Sequence, residues 1–212
     1  MAEKTRVIAI DGPAGAGKSS AARGVAQTLN LTYLDSGAMY RAVAFIADRD
    51  SRDPADVAAT AQLTFSEGRI VIDGEDVSAF VRTVEMSQLA SKVAADPRVR
   101  EHLVARQRDL LAQGGYVAEG RDIGTNVAPR ALLKIYLFAD PVQRAERRAA
   151  MTGQPLETVL AADRERDRRE MTRDTDPLRP ADDAVMLDCT DMTLDEVVQR
   201  ISLLACERGL SS

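Results

Sequence analysis

Val7 to Ser20 runs V-I-A-I-D-G-P-A-G-A-G-K-S-S. Val7–Ile10 is short, apolar and rich in β-branched residues, as a buried parallel strand is. The strand leads into Gly12-x-x-x-x-Gly17-Lys18-Ser19, the full phosphate-binding loop pattern. Gly12, Gly15 and Gly17 allow a tight turn that brings backbone N–H groups up to phosphate oxygens. The helix beginning near Gly17 directs its positive end at the same anion. Lys18 suits the β- and γ-phosphates of a nucleoside triphosphate, and the Ser19 hydroxyl suits the magnesium that accompanies it. The alternative is a Gly-rich turn that merely precedes a helix. Strand, loop and helix signals standing in the required order argue against it.

The 212 residues are 45% hydrophobic, enough for one ordinary core with a small appended lobe. No apolar run approaches the length of a membrane span, and M-A-E-K-T-R at the start has no signal-peptide core. Cys189 and Cys206 have neither metal-ligand spacing nor the look of a disulfide framework, which points to the cytoplasm. His102 stands alone in a charged helical pattern and reads as a solvated or satisfied histidine. A net charge of −5 argues against general nucleic-acid binding. Only four of the 28 basic residues are lysines, and eight arginines crowd into Arg144–Arg173. Arginine's planar fork matches phosphate, but acidic residues alternate there, so a salt-bridged solvent face is the competing reading.

Along the chain, Lys18–Leu29 has helical periodicity with Asn30 as a C-cap, and Thr32–Leu34 reads as a second strand. D-S-G-A-M-Y-R (35–41) then opens a helix at a strand's carboxyl end, where open α/β sheets bind ligands. Ser36 is a candidate N-cap as well as a site residue. Asp35 suits either a magnesium-bound water or a turn. Residues 51–82 change character: Thr64–Asp73 is β-branched, with turn signals at Glu67-Gly68 and Asp73-Gly74, so a small antiparallel lobe is expected. Helices are predicted over 84–95 and from Pro97 to about Gln113, and strands over 116–118, 131–138 and 185–187. Two charged helices flank Gly153-Gln154-Pro155, and an amphipathic helix covers 194–207. The fold class is therefore α/β: about five parallel strands covered by helices on both faces.

A phosphate loop does not say where the phosphoryl goes. A switch GTPase would carry D-x-x-G and N-K-x-D, and neither occurs. A kinase needs a second anion site, which Arg41 and Arg121 at strand ends supply. A purely structural nucleotide-binding module would leave the arginine cluster without a role.

Beyond the loop, the chain carries L-D-S-G-A-M-Y-R (34–41), G-E-D-V-S (74–78), V-R-T (81–83), A-S-K-V-A-A-D-P-R-V-R (90–100), E-G-R-D-I-G-T (119–125) and R-D-x-x-E-x-x-R (166–173). In this order and along nearly its whole length, it resembles the bacterial cytidylate kinases, which are nucleoside monophosphate kinases with a P-loop NTPase fold. The resemblance implies transfer of the γ-phosphoryl of ATP to CMP, often dCMP, with Mg2+, in a cytoplasmic monomer that binds neither nucleic acid nor membrane. It implies a core over 1–50, 83–148 and 158–212, an inserted monophosphate-binding lobe over 51–82 and a lid over 149–157.

By resemblance, Gly12, Pro13, Ala14, Gly15, Ala16, Gly17, Lys18, Ser19 and Ser20 hold ATP, with Ser19 at the metal. Ser36, Arg41 and Arg121 face the CMP phosphate. Ser91, Arg100 and Asp122 meet the nucleoside, the last two at the base. Arg166 and Glu170 contact the sugar, and Arg173 closes in beside them. Lys18, Arg41, Arg121, Arg166 and Arg173 carry the charge stabilisation that a loose phosphoryl transition state demands. Arg166, Glu170 and Arg173 are spaced to share one helix face. The competing readings are a solvated Arg100 and a Glu170 that pairs with Arg166 and touches no ligand. Arg144, Arg147 and Arg148 suit either ATP or water. Lys18 is expected in an exposed loop. Glu170 stands where the family usually has Asp, and Ala128 where it usually has an aromatic residue.

Overall fold

The computed structural model describes residues 5–66 and 69–210. In chain order the elements are β1 (Thr5–Asp11), α1 (Lys18–Thr28), β2 (Thr32–Asp35), α2 (Ser36–Arg49), α3 (Pro54–Thr60), β3 (Leu63–Ser66), β4 (Arg69–Ile72) and β5 (Glu75–Asp76). There follow α4 (Val84–Val93), α5 (Pro97–Leu111), β6 (Tyr116–Gly120), β7 (Ala131–Phe138), α6 (Pro141–Thr152), α7 (Leu156–Thr172), β8 (Val185–Asp188) and α8 (Leu194–Glu207). The chain divides into two compact units, one of Met1–Leu34 with Leu111–Ser212 and one of Asp35–Leu110.

The first unit is built on a five-stranded sheet of order β2-β6-β1-β7-β8, with parallel β1–β6, β1–β7 and β7–β8 pairs. β1 is central and buried on both faces, which is why Val7–Ile10 reads as a continuous apolar run rather than an alternating one. Ile8, Ile10, Leu133, Ile135 and Leu137 pack with Ala21, Ala22, Val25 and Ala26 of α1 and with Val197, Ile201, Leu204 and Ala205 of α8. Each Val, Leu or Ile among them contributes about 1.5–3 kcal/mol when fully buried. The register pairs Asp11 with both Gly120 and Tyr136, so β1 and β6 end at one level. The phosphate loop and the Glu119-Gly120-Arg121 segment therefore emerge side by side.

In the second unit, the antiparallel sheet β3-β4-β5 packs its Ile70 and Ile72 into a core with α2, α3 and α4. Asp73 and Gly74 both have positive φ, as a tight hairpin turn between right-twisted strands requires. The turn read at Glu67-Gly68 lies outside the described residues. Pro54–Thr60, inside the stretch that changes character from residue 51, is a helix: Asp53 caps it by accepting from Ala55 N at 2.7 Å, and Pro54 occupies its first turn. The compact unit is also wider than the 51–82 segment. The apolar faces of α2, α4 and α5 share the inserted sheet's core and so belong with it.

Candidate active site

Gly12 follows β1 with φ +151, and a Cβ there would stand 1.9 Å from the Leu137 carbonyl oxygen. Only glycine lets the loop leave the sheet at this point. Gly17, at φ 84, is the N-cap of α1. Lys18 is not exposed as expected. It is the first residue of α1, is 5% exposed, and donates from Nζ to the Pro13 carbonyl at 2.7 Å. The loop folds over the stem of the side chain, so a motif position that suggests a surface lysine gives a buried one. Burial brings its pKa down to about 7, assisted by Arg121 and opposed by Glu119 and Glu170.

Ser19 Oγ donates to Glu119 Oε1 at 2.5 Å, and Tyr33 OH donates to the same oxygen at 3.2 Å. Sequence reasoning quoted Glu119 within E-G-R-D but gave it no role. The available signal was an acid at the carboxyl end of the strand that pairs with β1. Two oxygen donors of different residues converge here, as a hard cation such as Mg2+ demands.

Past Gly120 the backbone makes one π turn, Ile123–Val127. Asp11 sets it: its carboxylate accepts from Ile123 N at 2.8 Å and Gly124 N at 2.7 Å. Burial pushes Asp11 up to about 7, against the pull of those two N–H groups. Arg121 is thereby held beside Glu170. Its Nε donates to Oε2 of Glu170, while Arg166 Nε donates to Oε1 at 2.8 Å. Burial works against the Glu170 charge, but the two guanidiniums overcome it and hold the carboxyl well below the usual carboxylate range. The pairing of Glu170 with Arg166 is thus present, and Arg121 joins it.

Arg173 is not on the helix face of Arg166 and Glu170, because α7 ends at Thr172 and Arg173 is its C-cap, in extended conformation. From there Nη2 reaches Asp122 Oδ1 at 3.4 Å and Nε donates to the Asp176 carbonyl at 2.8 Å. Asn126 Nδ2 donates to Asp122 Oδ2 at 3.3 Å. Asp122 is therefore anchored from two sides.

In the second unit the N-cap of α2 is Asp35, not Ser36. Asp35 Oδ1 accepts from Ala38 N at 2.8 Å and Oδ2 accepts from Arg41 Nη2 at 2.8 Å. Ser36 is the first helical residue and is buried. Asp35 orients Arg41, whose Nε has no partner. Ser91, on α4, is buried with an unpartnered Oγ, and Arg100, on α5, is 2% exposed rather than solvated. Gln107, two turns beyond Arg100 on α5, is 1% exposed with a free Nε2, and the sequence reading passed over it. Of the arginines left undecided, Arg144 pairs with Asp167 at 2.9 Å, Arg147 donates to the Thr190 carbonyl at 2.8 Å and Arg148 pairs with Asp163 at 2.5 Å.

Among the described residues no helix is long and apolar enough to cross a membrane. Both cysteines are free.

A parallel sheet with a phosphate loop after its central strand, facing an acid on the adjoining strand, defines a P-loop nucleotide-binding protein. A gluconokinase from Sinorhizobium meliloti 1021 shares this fold at TM-score 0.52 and 17% identity, over 98% of this chain and 94% of its own. The family profile described as cytidylate kinase matches residues 8–206. A cytidylate kinase of Rhodococcus jostii is 44% identical over 98% of both chains. A bifunctional pantoate ligase/cytidylate kinase of Synechococcus sp. (strain JA-2-3B'a(2-13)) is 45% identical over 93% of this chain, which spans 40% of that relative's length. The chain belongs to the cytidylate kinase family.

Proposed function

We propose that the chain transfers the γ-phosphoryl of ATP to CMP, and to dCMP, giving CDP or dCDP and ADP. The observation that carries the reading is the setting of Lys18: buried in the phosphate loop, it lies within electrostatic reach of Arg121, Arg166 and Glu170. Residues for a triphosphate and residues for a second anion thus share one field. Gly12–Ser20 bind ATP. Ser36, Arg41 and Arg121 bind the CMP phosphate, and the free Nε of Arg41 supports that role. Asp122 accepts from the cytosine N4 amino group, Arg100 donates to the ring acceptors, and Ser91 adds its unpartnered hydroxyl. Arg166, Glu170 and Arg173 serve the sugar and the developing charge. Residues 51–82 act as the monophosphate lobe and 149–157 as the lid, in a cytoplasmic monomer that binds neither nucleic acid nor membrane.

Ser19 and Glu119 would hold Mg2+, which when bound neutralises charge on the β- and γ-phosphate oxygens. Lys18 adds a positive charge beside the phosphoryl in a site largely closed to water, where that charge acts most strongly. Lys18→Ala is expected to stay folded and to lose phosphoryl transfer from ATP to CMP. A folded variant turning over at near the wild-type rate would rule out this mechanism.

A further inference from the structure

Both backbone polar groups of Ala14, in the middle of the phosphate loop, are held by side chains from far along the chain. Its N–H donates to Asp167 Oδ1 at 3.1 Å, and its carbonyl accepts from Arg144 Nη1 at 2.5 Å. The same Nη1 donates to Asp167 Oδ2 at 2.9 Å, and Arg144 Nε donates to the Ala139 carbonyl at 3.1 Å. The bonds form a closed ring joining the loop to α6 and α7, the helices on either side of the Gly153–Pro155 turn. Both charged residues are buried. Arg144 also backs the next loop residue: a Cβ on Gly15, whose φ is +72, would lie 3.3 Å from Arg144 Cβ.

Stability alone is a weak reason for such a pair, because a buried Arg–Asp pair roughly breaks even against apolar residues of similar volume. An apolar pair, however, cannot hold a peptide plane. With the Pro13 carbonyl taken by Lys18 and both Ala14 groups taken by the ring, three successive polar groups of the loop have fixed partners. The Pro13–Ala14 peptide plane cannot turn without breaking two bonds, and the Ala14–Gly15 plane is held by its carbonyl.

We propose that Arg144 and Asp167 are positioning residues that hold the phosphate loop in its nucleotide-accepting conformation before ATP arrives. Neither needs to touch the nucleotide. A preorganised loop spares ATP binding the cost of ordering it, which for one peptide unit corresponds to about tenfold in affinity. The inference rests on the reading that this loop binds ATP, and wild-type titration tests that reading separately.

The experiment is calorimetric titration of ATP and, independently, of CMP into wild type, Asp167→Asn and the double variant Arg144→Met/Asp167→Leu, with thermal melts of each. Wild type that binds no ATP overturns the functional reading itself. If wild type binds ATP, the double variant is expected to melt close to wild type, bind ATP about tenfold more weakly and bind CMP within twofold of wild type. Asp167→Asn keeps an acceptor for Ala14 N–H but loses the charge, so a loss of about threefold for ATP alone is expected; its result decides if the double variant does not fold. ATP affinity within twofold of wild type in the folded variants, or equal losses for ATP and CMP, overturns the proposal.

Discussion

Removing the Glu170 carboxylate gives the sharpest perturbation of the site. In Glu170→Ala the Arg121 and Arg166 guanidiniums lose the counter-ion that both of them bond, in a place where Glu170 is only 4% exposed. Breaking a buried pair from one side costs about 3–5 kcal/mol. In a chain of this size each kcal/mol moves the melting transition by about 2–4 °C, so a fall of roughly 6–20 °C is expected. Saturating CMP should raise the melting temperature of the variant less than that of wild type, since the carboxylate that serves the sugar is gone and CMP is held more weakly.

The pH dependence has a definite sign. The folded carboxyl titrates below its unfolded value of about 4.3, so its contribution is complete above that pH and is lost as pH falls through the folded pKa. The gap in melting temperature between wild type and Glu170→Ala should hold from pH 7 to 5 and close only in stronger acid. In turnover, kcat/KM for CMP should fall about tenfold or more in Glu170→Ala. Glu170→Asp moves the carboxylate by about 1.5 Å and should retain turnover. The assays are thermal melts by circular dichroism with and without CMP, and steady-state kinetics with CMP and dCMP. A shift under about 2 °C together with wild-type kinetics on both substrates would show that the carboxylate neither neutralises the arginines nor serves the sugar.

Three further outcomes are expected. Asp122→Asn should narrow the CMP-to-UMP ratio of kcat/KM, because UMP presents an acceptor where cytosine presents a donor; an unchanged ratio means Asp122 does not read N4. ATP binding near pH 7.5 should take up protons, since burial brings the Lys18 pKa down to about 7 and the negative triphosphate is expected to raise it. Titrations in buffers of different ionisation enthalpy measure that uptake, and zero uptake contradicts it. Glu119→Gln should raise the Mg2+ concentration needed for half-maximal rate by about tenfold, and an unchanged midpoint removes Glu119 from the metal site.

Much of the first unit is legible in the sequence because its signals are local. The apolar run Val7–Ile10, the glycine spacing and the Gly153-Gln154-Pro155 break between two charged helices each depend on a few neighbouring residues. Apart from the cap of α2, what escaped depends on partners far apart in the chain. Ser36 looks like a cap because serine caps helices, but Asp35, the last residue of β2, takes Ala38 N and Arg41 together. Arg173 has the right spacing for the face of Arg166 and Glu170, but the helix stops one residue before it and Asp122 draws it across. The burial of Lys18, the contact of Ser19 with Glu119 and the Arg144–Asp167 ring arise only once β1, β6 and α7 stand side by side. No spacing rule within one element expresses that. Likewise, α2, α4 and α5 join the inserted sheet through a shared apolar core, which a composition shift at residue 51 does not reveal.

The most direct test of the central claim is an ADP-release assay with ATP, Mg2+ and, in turn, CMP, dCMP, UMP and AMP as acceptor. The account predicts rapid turnover with CMP, turnover with dCMP, and kcat/KM for UMP and AMP lower by several powers of ten. UMP or AMP matching CMP, or no ADP release with any of the four, would contradict it.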